Sequence, residues 1–206
     1  KRSEVIVGPH VIDKIDNIAA YSGRVFVVNS EGVFEIEEGK VKKKIDPEWM
    51  GSVLAYSYAG NFYILDKGAS TIYRYTSTET GFGSKKDWFN EGVTFDVSEA
   101  RAWIIDGAIW MVTEKGQILK FSLGLPRPFS LTGVFPVVDK PLAVYTDDQL
   151  ENLYILDNEN ERVVVVTKDG EYKAQYISSD IRESKGLVAS EKEKKIILLT
   201  TDKLLS

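Results

Sequence analysis

The chain has 206 residues, of which 43% are hydrophobic and 28% charged, and it carries a formal net charge of −5 with no cysteine. These values are ordinary for a globular domain with one sizeable core. They exclude disulfides and thiolate metal sites, and the acidic balance gives no electrostatic basis for binding nucleic acid or an anionic membrane.

The first predicted element is an apolar strand over residues 3–8 (SEVIVG), which precedes any repeated pattern. No apolar run is long enough to span a bilayer and no signal peptide is present, so we expect no membrane insertion by this chain. Because the first residue is Lys1 rather than Met, we interpret the sequence as a mature or excised domain.

Five copies of a short apolar strand then follow along the chain, each with a large residue at its centre. They read VFVVN, FYILD, IWMVT, LYILD and IILLT, and their central residues are Phe26, Tyr63, Trp110, Tyr154 and Ile197. Self-similarity at intervals of about 40 residues is typical of repeat architectures. The second and fourth copies align without a gap over residues 61–76 (NFYILDKGASTIYRYT) and 152–167 (NLYILDNENERVVVVT).

Each copy is accompanied by further strand-like segments, separated by Gly, Asn, Asp and Ser clusters that favour turns. A small apolar strand precedes each copy, and a third strand follows across a turn. A more polar stretch comes fourth in most copies, such as KVKKKI in the first copy and RPFSLTGV at residues 127–134 in the third. Four short strands per unit of about 40 to 45 residues are typical of a propeller blade. Strands with apolar residues on both sides also need cover on both faces, which radial stacking supplies.

The predicted fold is therefore an all-β, five-bladed β-propeller with four-stranded antiparallel blades, forming one domain over residues 1–206. The N-terminal strand is expected to complete the last blade. The alternative is a fragment of a six- or seven-bladed ring. The blades are expected approximately at residues 13–46, 51–90, 93–139, 140–179 and 184–206, the last together with 3–12.

Acidic residues near the first strand of each blade are the candidates for chemistry, since glycosidases need two carboxyl groups that flank the bond to be cut. Asp16, Asp106, Asp147 and Asp148 have suitable positions. Asp106 in IDGA and Asp147 in YTDDQLEN also lie in turn contexts, where a carboxylate commonly bonds its own backbone. The turn interpretation is favoured, and no catalytic residue is assigned.

Aromatic residues are the candidates for binding. Tyr21, Tyr56 and Tyr145 each end a first strand and are predicted to occupy the same position, where they would either form a binding rim or pack between blades. Trp49 in PEWMG is expected to be the most exposed tryptophan. His10 is the only histidine, and the turn DNENE lacks the spacing of a calcium loop, so no metal site and no cofactor are predicted.

The segments WIIDGAIWMVTEKGQILKFSLG and YTDDQLENLYILDNENERVVVVTKDGEYKAQY resemble the broad NHL/YVTN-like class of bacterial β-propellers. More narrowly, they resemble propeller regions of bacterial proteins that also carry a PP2C-type phosphatase-like module and a membrane segment. The resemblance implies a propeller fold and an extracytoplasmic domain of a membrane-anchored protein. It transfers no catalytic residue.

The sequence thus favours a non-catalytic binding, scaffold or sensor domain of a larger bacterial protein. We expect this domain to be monomeric and to bind a protein, a peptide or a small ligand on a face of the propeller. The alternative is a glycoside hydrolase or lactonase-like hydrolase that uses carboxylates at the channel mouth. A purely structural spacer is a third interpretation.

Overall fold

The computed structural model describes residues 14–38 and 40–206, which form two compact units. The N-terminal unit comprises the described residues up to Phe89 together with Thr94–Ser98, and the C-terminal unit comprises Asn90–Val93 and Glu99–Ser206. Among the described residues, no helix has the length and apolar character needed to cross a membrane.

Two four-stranded antiparallel sheets make up the N-terminal unit, and in each sheet the strands lie in chain order. The first sheet contains β1 (Asn17–Tyr21), β2 (Arg24–Asn29), β3 (Gly32–Glu37) and β4 (Lys40–Ile45). The second contains β5 (Val53–Tyr58), β6 (Asn61–Asp66), β7 (Thr71–Thr78) and β8 (Gly81–Asp87).

Three antiparallel sheets make up the C-terminal unit. The third sheet contains β9 (Ala100–Ile105), β10 (Ile109–Thr113), β11 (Ile118–Ser122) and β12 (Leu125–Arg127). The fourth contains β13 (Ala143–Tyr145), β14 (Asn152–Asp157), β15 (Arg162–Thr167) and β16 (Tyr172–Ile177). The fifth contains β17 (Gly186–Ser190), β18 (Lys195–Leu199) and β19 (Leu204–Leu205). Short 3-10 turns lie at Asn158–Asn160 and Ser179–Glu183.

These five sheets are the blades of a five-bladed β-propeller, which confirms the fold predicted from the repeat. Four blades have four strands, and the fifth has three among the described residues. The predicted closing strand at residues 3–12 lies outside the described residues.

The fourth strand of the third sheet is not where the sequence placed it. The prediction was RPFSLTGV at residues 127–134, whereas β12 is Leu125–Arg127 and the following residues form a loop. Leu123 and Gly124 both have positive φ (55° and 75°), so the chain reverses at once and pairs earlier. Pro128 then has no backbone N–H to continue the ladder.

The strands are buried on both faces, as their apolar patterns predicted. In β15, residues 163–166 are four consecutive valines, each at most 5% exposed. Val163 and Val165 pack in a cluster with Leu187 and Leu198 of the fifth sheet, so the intervening valines face the opposite side. Each sheet is therefore stable only when other residues cover both of its surfaces.

The two most similar repeats use their common aspartate differently. Asp66 and Asp157 are both fully buried at the end of a YILD strand. Asp66 accepts hydrogen bonds from the backbone amides of Met50, Gly68 and Ala69, at 2.8 to 3.1 Å. Asp157 instead pairs with the guanidinium of Arg162, whose Nε lies 2.7 Å from Oδ2.

The hairpin register corrects the prediction that three tyrosines share one position. Tyr56 lies opposite Tyr63, and Tyr145 lies opposite Tyr154, so these two are equivalent. Opposite Phe26, however, lies Ala19, and Tyr21 is two residues further along β1. The prediction counted from the start of each apolar quartet, whereas the cross-strand partner defines the true position.

Candidate functional site

The aromatic candidates of the N-terminal unit take part in local packing. Tyr21 is 36% exposed, and its ring contacts that of Tyr58 edge-on, with centroids 6.3 Å apart. Tyr56 is half-buried in β5. Trp49 is also half-buried and packs against the core cluster that contains Phe26 and other residues of the first two sheets. The exposed neighbour of Trp49 is Met50, at 82%.

Asp106 lies in a buried ion pair within the C-terminal unit. Its side chain is 4% exposed, and its Oδ2 lies 2.7 Å from Nζ of Lys168. Its Oδ1 accepts hydrogen bonds from the Trp110 indole at 3.0 Å and from the Ala108 amide at 3.1 Å. Both carboxylate oxygens are thus occupied by donors from three places in the chain, which is the pattern of a brace between hairpins.

Lys168 also brings the predicted candidates Asp106 and Asp147 together. Its Nζ donates to the backbone oxygen of Asp147 at 3.0 Å. The Asp147 carboxylate caps its own turn, with Oδ1 accepting from the amides of Gln149 and Leu150 at 2.8 and 3.0 Å. The turn interpretation of Asp147 is therefore confirmed. The neighbouring Asp148 is exposed.

Tyr145 adds a hydroxyl to this group. Its O–H donates to Oδ2 of Asp147 at 3.4 Å. Burial, and then the charge of the Asp147 carboxylate, raise the pKa of the Tyr145 hydroxyl. Both effects favour the neutral phenol, so Tyr145 is a hydrogen-bonding group rather than a proton acceptor at neutral pH.

Asp16, the remaining acidic candidate, forms an ion pair with Lys14 at 2.9 Å on the surface of the N-terminal unit. Within the described part of the chain, no group of three or more His, Cys, Asp or Glu side chains has the arrangement of a metal site. His10 lies outside the described residues.

Glu191, which the sequence did not single out, ties the fifth sheet to the fourth. Its carboxylate accepts hydrogen bonds from the amides of Glu151 and Asn152, the Asn152 side chain and the Tyr154 hydroxyl. Burial alone would raise the pKa of Glu191, but these hydrogen bonds outweigh it and the pKa is lowered overall. Burial, and then the Glu191 charge, raise the pKa of Tyr154 to about 12.

We expect Glu191→Gln to lower the melting temperature at pH 7 by a few degrees, because a neutral amide binds the same donors less strongly. A carboxyl group whose folded pKa is lowered stabilises the fold above its unfolded pKa, and that contribution is lost as pH falls through the folded pKa. The difference between variant and parent should therefore begin to shrink as pH falls below the ordinary glutamate pKa of about 4.3, and it should vanish once pH is below the lowered pKa of Glu191. Thermal scans from pH 3 to 8 measure this, with the exposed Glu193→Gln in the same turn as the control. A constant difference over the whole range would contradict the assignment.

A cleft of about 760 Å³ opens beside Glu191, between the fourth and fifth sheets of the C-terminal unit. Apolar side chains, including Val163, Ile196 and Leu205, contribute to its lining. Polar groups, among them Glu191 and Ser178, also line it. Tyr176 of β16 borders the cleft with 56% of its surface exposed. Such a mixture of apolar and polar groups suits an amphipathic ligand.

A second surface feature lies in the loop between β12 and β13. Phe135 and Val137 are 83% and 74% exposed, although the backbone between them is held by a hydrogen bond from Arg162 to the Pro136 oxygen. Arg162, only 2% exposed, donates from Nη2 to the backbone oxygens of Pro136 and Val137 at 2.6 and 3.3 Å. Its Nη1 donates to Gln175 at 3.0 Å.

A third exposed apolar residue, Ile177, lies across the ladder from Arg162. It is 68% exposed and lies directly opposite Arg162 in the ladder between β15 and β16, so both side chains project from the same face of the sheet. We call Phe135, Val137 and Ile177 the apolar rim. The sequence contained one signal for the contacts that hold this loop. Arg162 is a charged residue at the start of the valine run RVVVV, and a charge among buried strands needs a buried partner.

No family model matches the chain, and no curated protein matches it. Among solved structures, it is similar to a streptogramin B lyase, with a TM-score of 0.62 and 15% identity over 89% of this chain and 61% of that chain. It is also similar to a catalytically inactive virginiamycin B lyase from Staphylococcus aureus with quinupristin, with a TM-score of 0.57 and 16% identity over 92% and 68% of the two chains. The nidogen/laminin complex matches with a TM-score of 0.52 and 15% identity over 80% and 64%.

These structures are β-propellers, and at such low identity the likeness concerns the fold alone. The chain spans about three fifths of the length of the streptogramin B lyase.

Proposed function

We propose that this domain is a non-catalytic protein-binding module, used as a scaffold or sensor by a larger bacterial protein, and that it binds through the apolar rim. The observation that carries the proposal is that Phe135 and Val137 are exposed in a loop whose backbone is held by hydrogen bonds from the buried Arg162. An extracytoplasmic setting and the relation to NHL-like propellers are part of the same proposal.

The physical argument rests on how the rim is held. Keeping large apolar side chains in water is unfavourable, and a free loop would fold them inward where it could. Here the Arg162 guanidinium holds the loop through hydrogen bonds to the Pro136 and Val137 oxygens, and it is itself fixed by Asp157 and by Gln175 of β16. A binding surface that is already ordered loses little conformational entropy on association, which favours affinity.

The rim is also suited to a protein partner by its chemistry. Exposed apolar groups that cluster on a globular domain commonly mark interaction sites, and Arg162 links the two stretches of chain that carry the apolar rim. Aromatic and aliphatic anchors such as Phe135 contribute most when a partner encloses them and excludes water. The net charge of −5 favours a protein over an anionic lipid surface.

The test is to select binders from a displayed peptide library on the immobilised domain and to measure their affinity for rim variants. We expect Phe135→Ser with Val137→Ser to weaken the selected binders by about 30-fold or more, as loss of an interface hot spot does. The matched control is Leu123→Ser, because Leu123 is an equally exposed apolar residue, at 78%, in a different turn.

Equal affinity for the rim variant and the parent would refute the rim as the binding surface. A glycan library supplies the complementary measurement, scored first by melting shift and then by turnover. Cleavage of any sugar by the domain would overturn the non-catalytic assignment in favour of the hydrolase alternative.

A further inference from the structure

The outer edge of the fourth sheet has no partner over most of its length within the part of the chain that the structure describes. β16 is the last strand in the order β13-β14-β15-β16. At its beginning the Tyr172 amide donates to the Thr132 oxygen at 3.0 Å, so the loop covers that end. Among the described residues, no further segment forms backbone hydrogen bonds with the outer edge of residues 173–177.

The fourth strands of the other complete sheets carry features that discourage the addition of another strand. β4 reads KVKKKI, with four lysines, and β8 contains Lys85 and Lys86. β12 contains Pro126, which cannot donate a backbone hydrogen bond. Lysines and prolines are the usual protection of sheet edges. β16, by contrast, has a single charged residue, Lys173 near its beginning, and the rest of its open edge, residues 174–177, reads AQYI.

The sheet presents apolar groups on both of its faces along this open edge. Tyr176 lies opposite Val163 and borders the cleft, whereas Ile177 lies opposite Arg162 and belongs to the apolar rim. A strand placed beside β16 would project alternate side chains to these two faces. Each of its side chains would therefore meet an apolar surface.

We propose that β16 accepts an extended segment of a partner protein as an additional strand, and this inference rests on the proposed binding function. The ligand class is an uncharged stretch of about five residues, the usual strand length, with apolar side chains at adjacent positions and no proline. Backbone hydrogen bonds to residues 173–177 supply affinity, and the cleft and the apolar rim select the side chains.

The probe is a capped peptide, Lys-Thr-Val-Ile-Val-Thr-Lys, together with a twin that is N-methylated at Val, Ile and Val. Methylation removes the strand donors and leaves the side chains in place. We expect the twin to bind the full chain at least about tenfold more weakly, a difference of about 1.4 kcal/mol. Hydrogen exchange should show new protection within residues 173–177 only with the unmethylated peptide.

Two protein variants complete the experiment. Tyr176→Lys adds the kind of edge protection that β4 has, and we expect it to weaken the peptide at least about tenfold. Tyr172→Lys is the matched control on the same strand, where Thr132 already occupies the edge, and it should bind within about twofold of the parent.

Several outcomes would overturn strand addition. Equal binding of the methylated twin would show that the peptide binds through its side chains alone. Library peptides that depend on the apolar rim would still bind, so the proposed function would stand. Protection of residues 173–177 in the free monomer would show that a segment of this chain occupies the edge. A dimer that Tyr176→Lys dissociates would show that a second copy occupies it.

Discussion

Replacing Arg162 by threonine should destabilise the domain by about 3–5 kcal/mol, the cost of leaving a buried charge without its partner. Arg162 and Asp157 are 2% and 0% exposed, so water cannot replace the lost guanidinium. The change copies the sister repeat, in which Thr71 stands at the aligned position. Urea denaturation monitored by circular dichroism measures the loss.

The double variant Arg162→Thr with Asp157→Asn is the control, because it removes the charge that the single variant leaves uncompensated. We expect it to be clearly more stable than Arg162→Thr alone, giving a favourable coupling energy in the double-mutant cycle. Additive effects of the two substitutions would contradict the assigned ion pair. Binding at the apolar rim should weaken in both variants, since the hydrogen bonds to Pro136 and Val137 are lost in each.

The strand repeat could be predicted from the sequence because it depends on local pattern. A strand with a large residue near its start and apolar residues on both of its sides recurs in every copy between turn clusters, and each copy folds as a sheet. The hairpin register was harder, as Tyr21 shows, because it depends on which residue faces Phe26 across the turn. The position of β12 depended similarly on two left-handed residues at Leu123 and Gly124.

The roles of the acidic residues could be predicted only in part. Asp147 bonds amides two and three residues away, and its turn sequence indicated this. Asp106 likewise bonds the amide two residues later, as its turn sequence indicated, but it is also paired with Lys168, which lies 62 residues later in the chain. A long-range partner of this kind has no local pattern, so neither the ion pair nor the loop held by Arg162 could be derived from spacing alone.

These long-range contacts connect stability to the proposed function. Asp106, Trp110, Lys120 and Lys168 brace neighbouring hairpins of the third and fourth sheets, with Lys120 Nζ donating to the Lys168 oxygen at 2.8 Å. Because the fourth sheet contains the open edge of β16 and, through Arg162, holds the loop of the apolar rim, its rigidity determines how well both surfaces are ordered before a partner binds.

Trp110→Ala should destabilise the domain by about 3–5 kcal/mol, the usual cost of deleting a large aromatic side chain from a core. Trp110, the second residue of β10, is fully buried. Its ring meets Phe129 edge-on with centroids 5.0 Å apart, and Lys120 Nζ lies 4.5 Å from its centroid. The truncation would leave a cavity, remove the ring that Lys120 Nζ contacts, and remove the indole donor from Asp106.

Trp110→Phe separates these contributions. It keeps an aromatic ring beside Phe129 but loses the indole donor to Asp106, and we expect a smaller cost of about 1–3 kcal/mol. Trp49→Ala is the matched tryptophan control at a half-buried position, and it should cost less than Trp110→Ala. Urea denaturation of the three variants gives the order. A loss of stability for Trp110→Ala no larger than that for Trp49→Ala would mean that Trp110 is not in the tightly packed core position that its burial indicates.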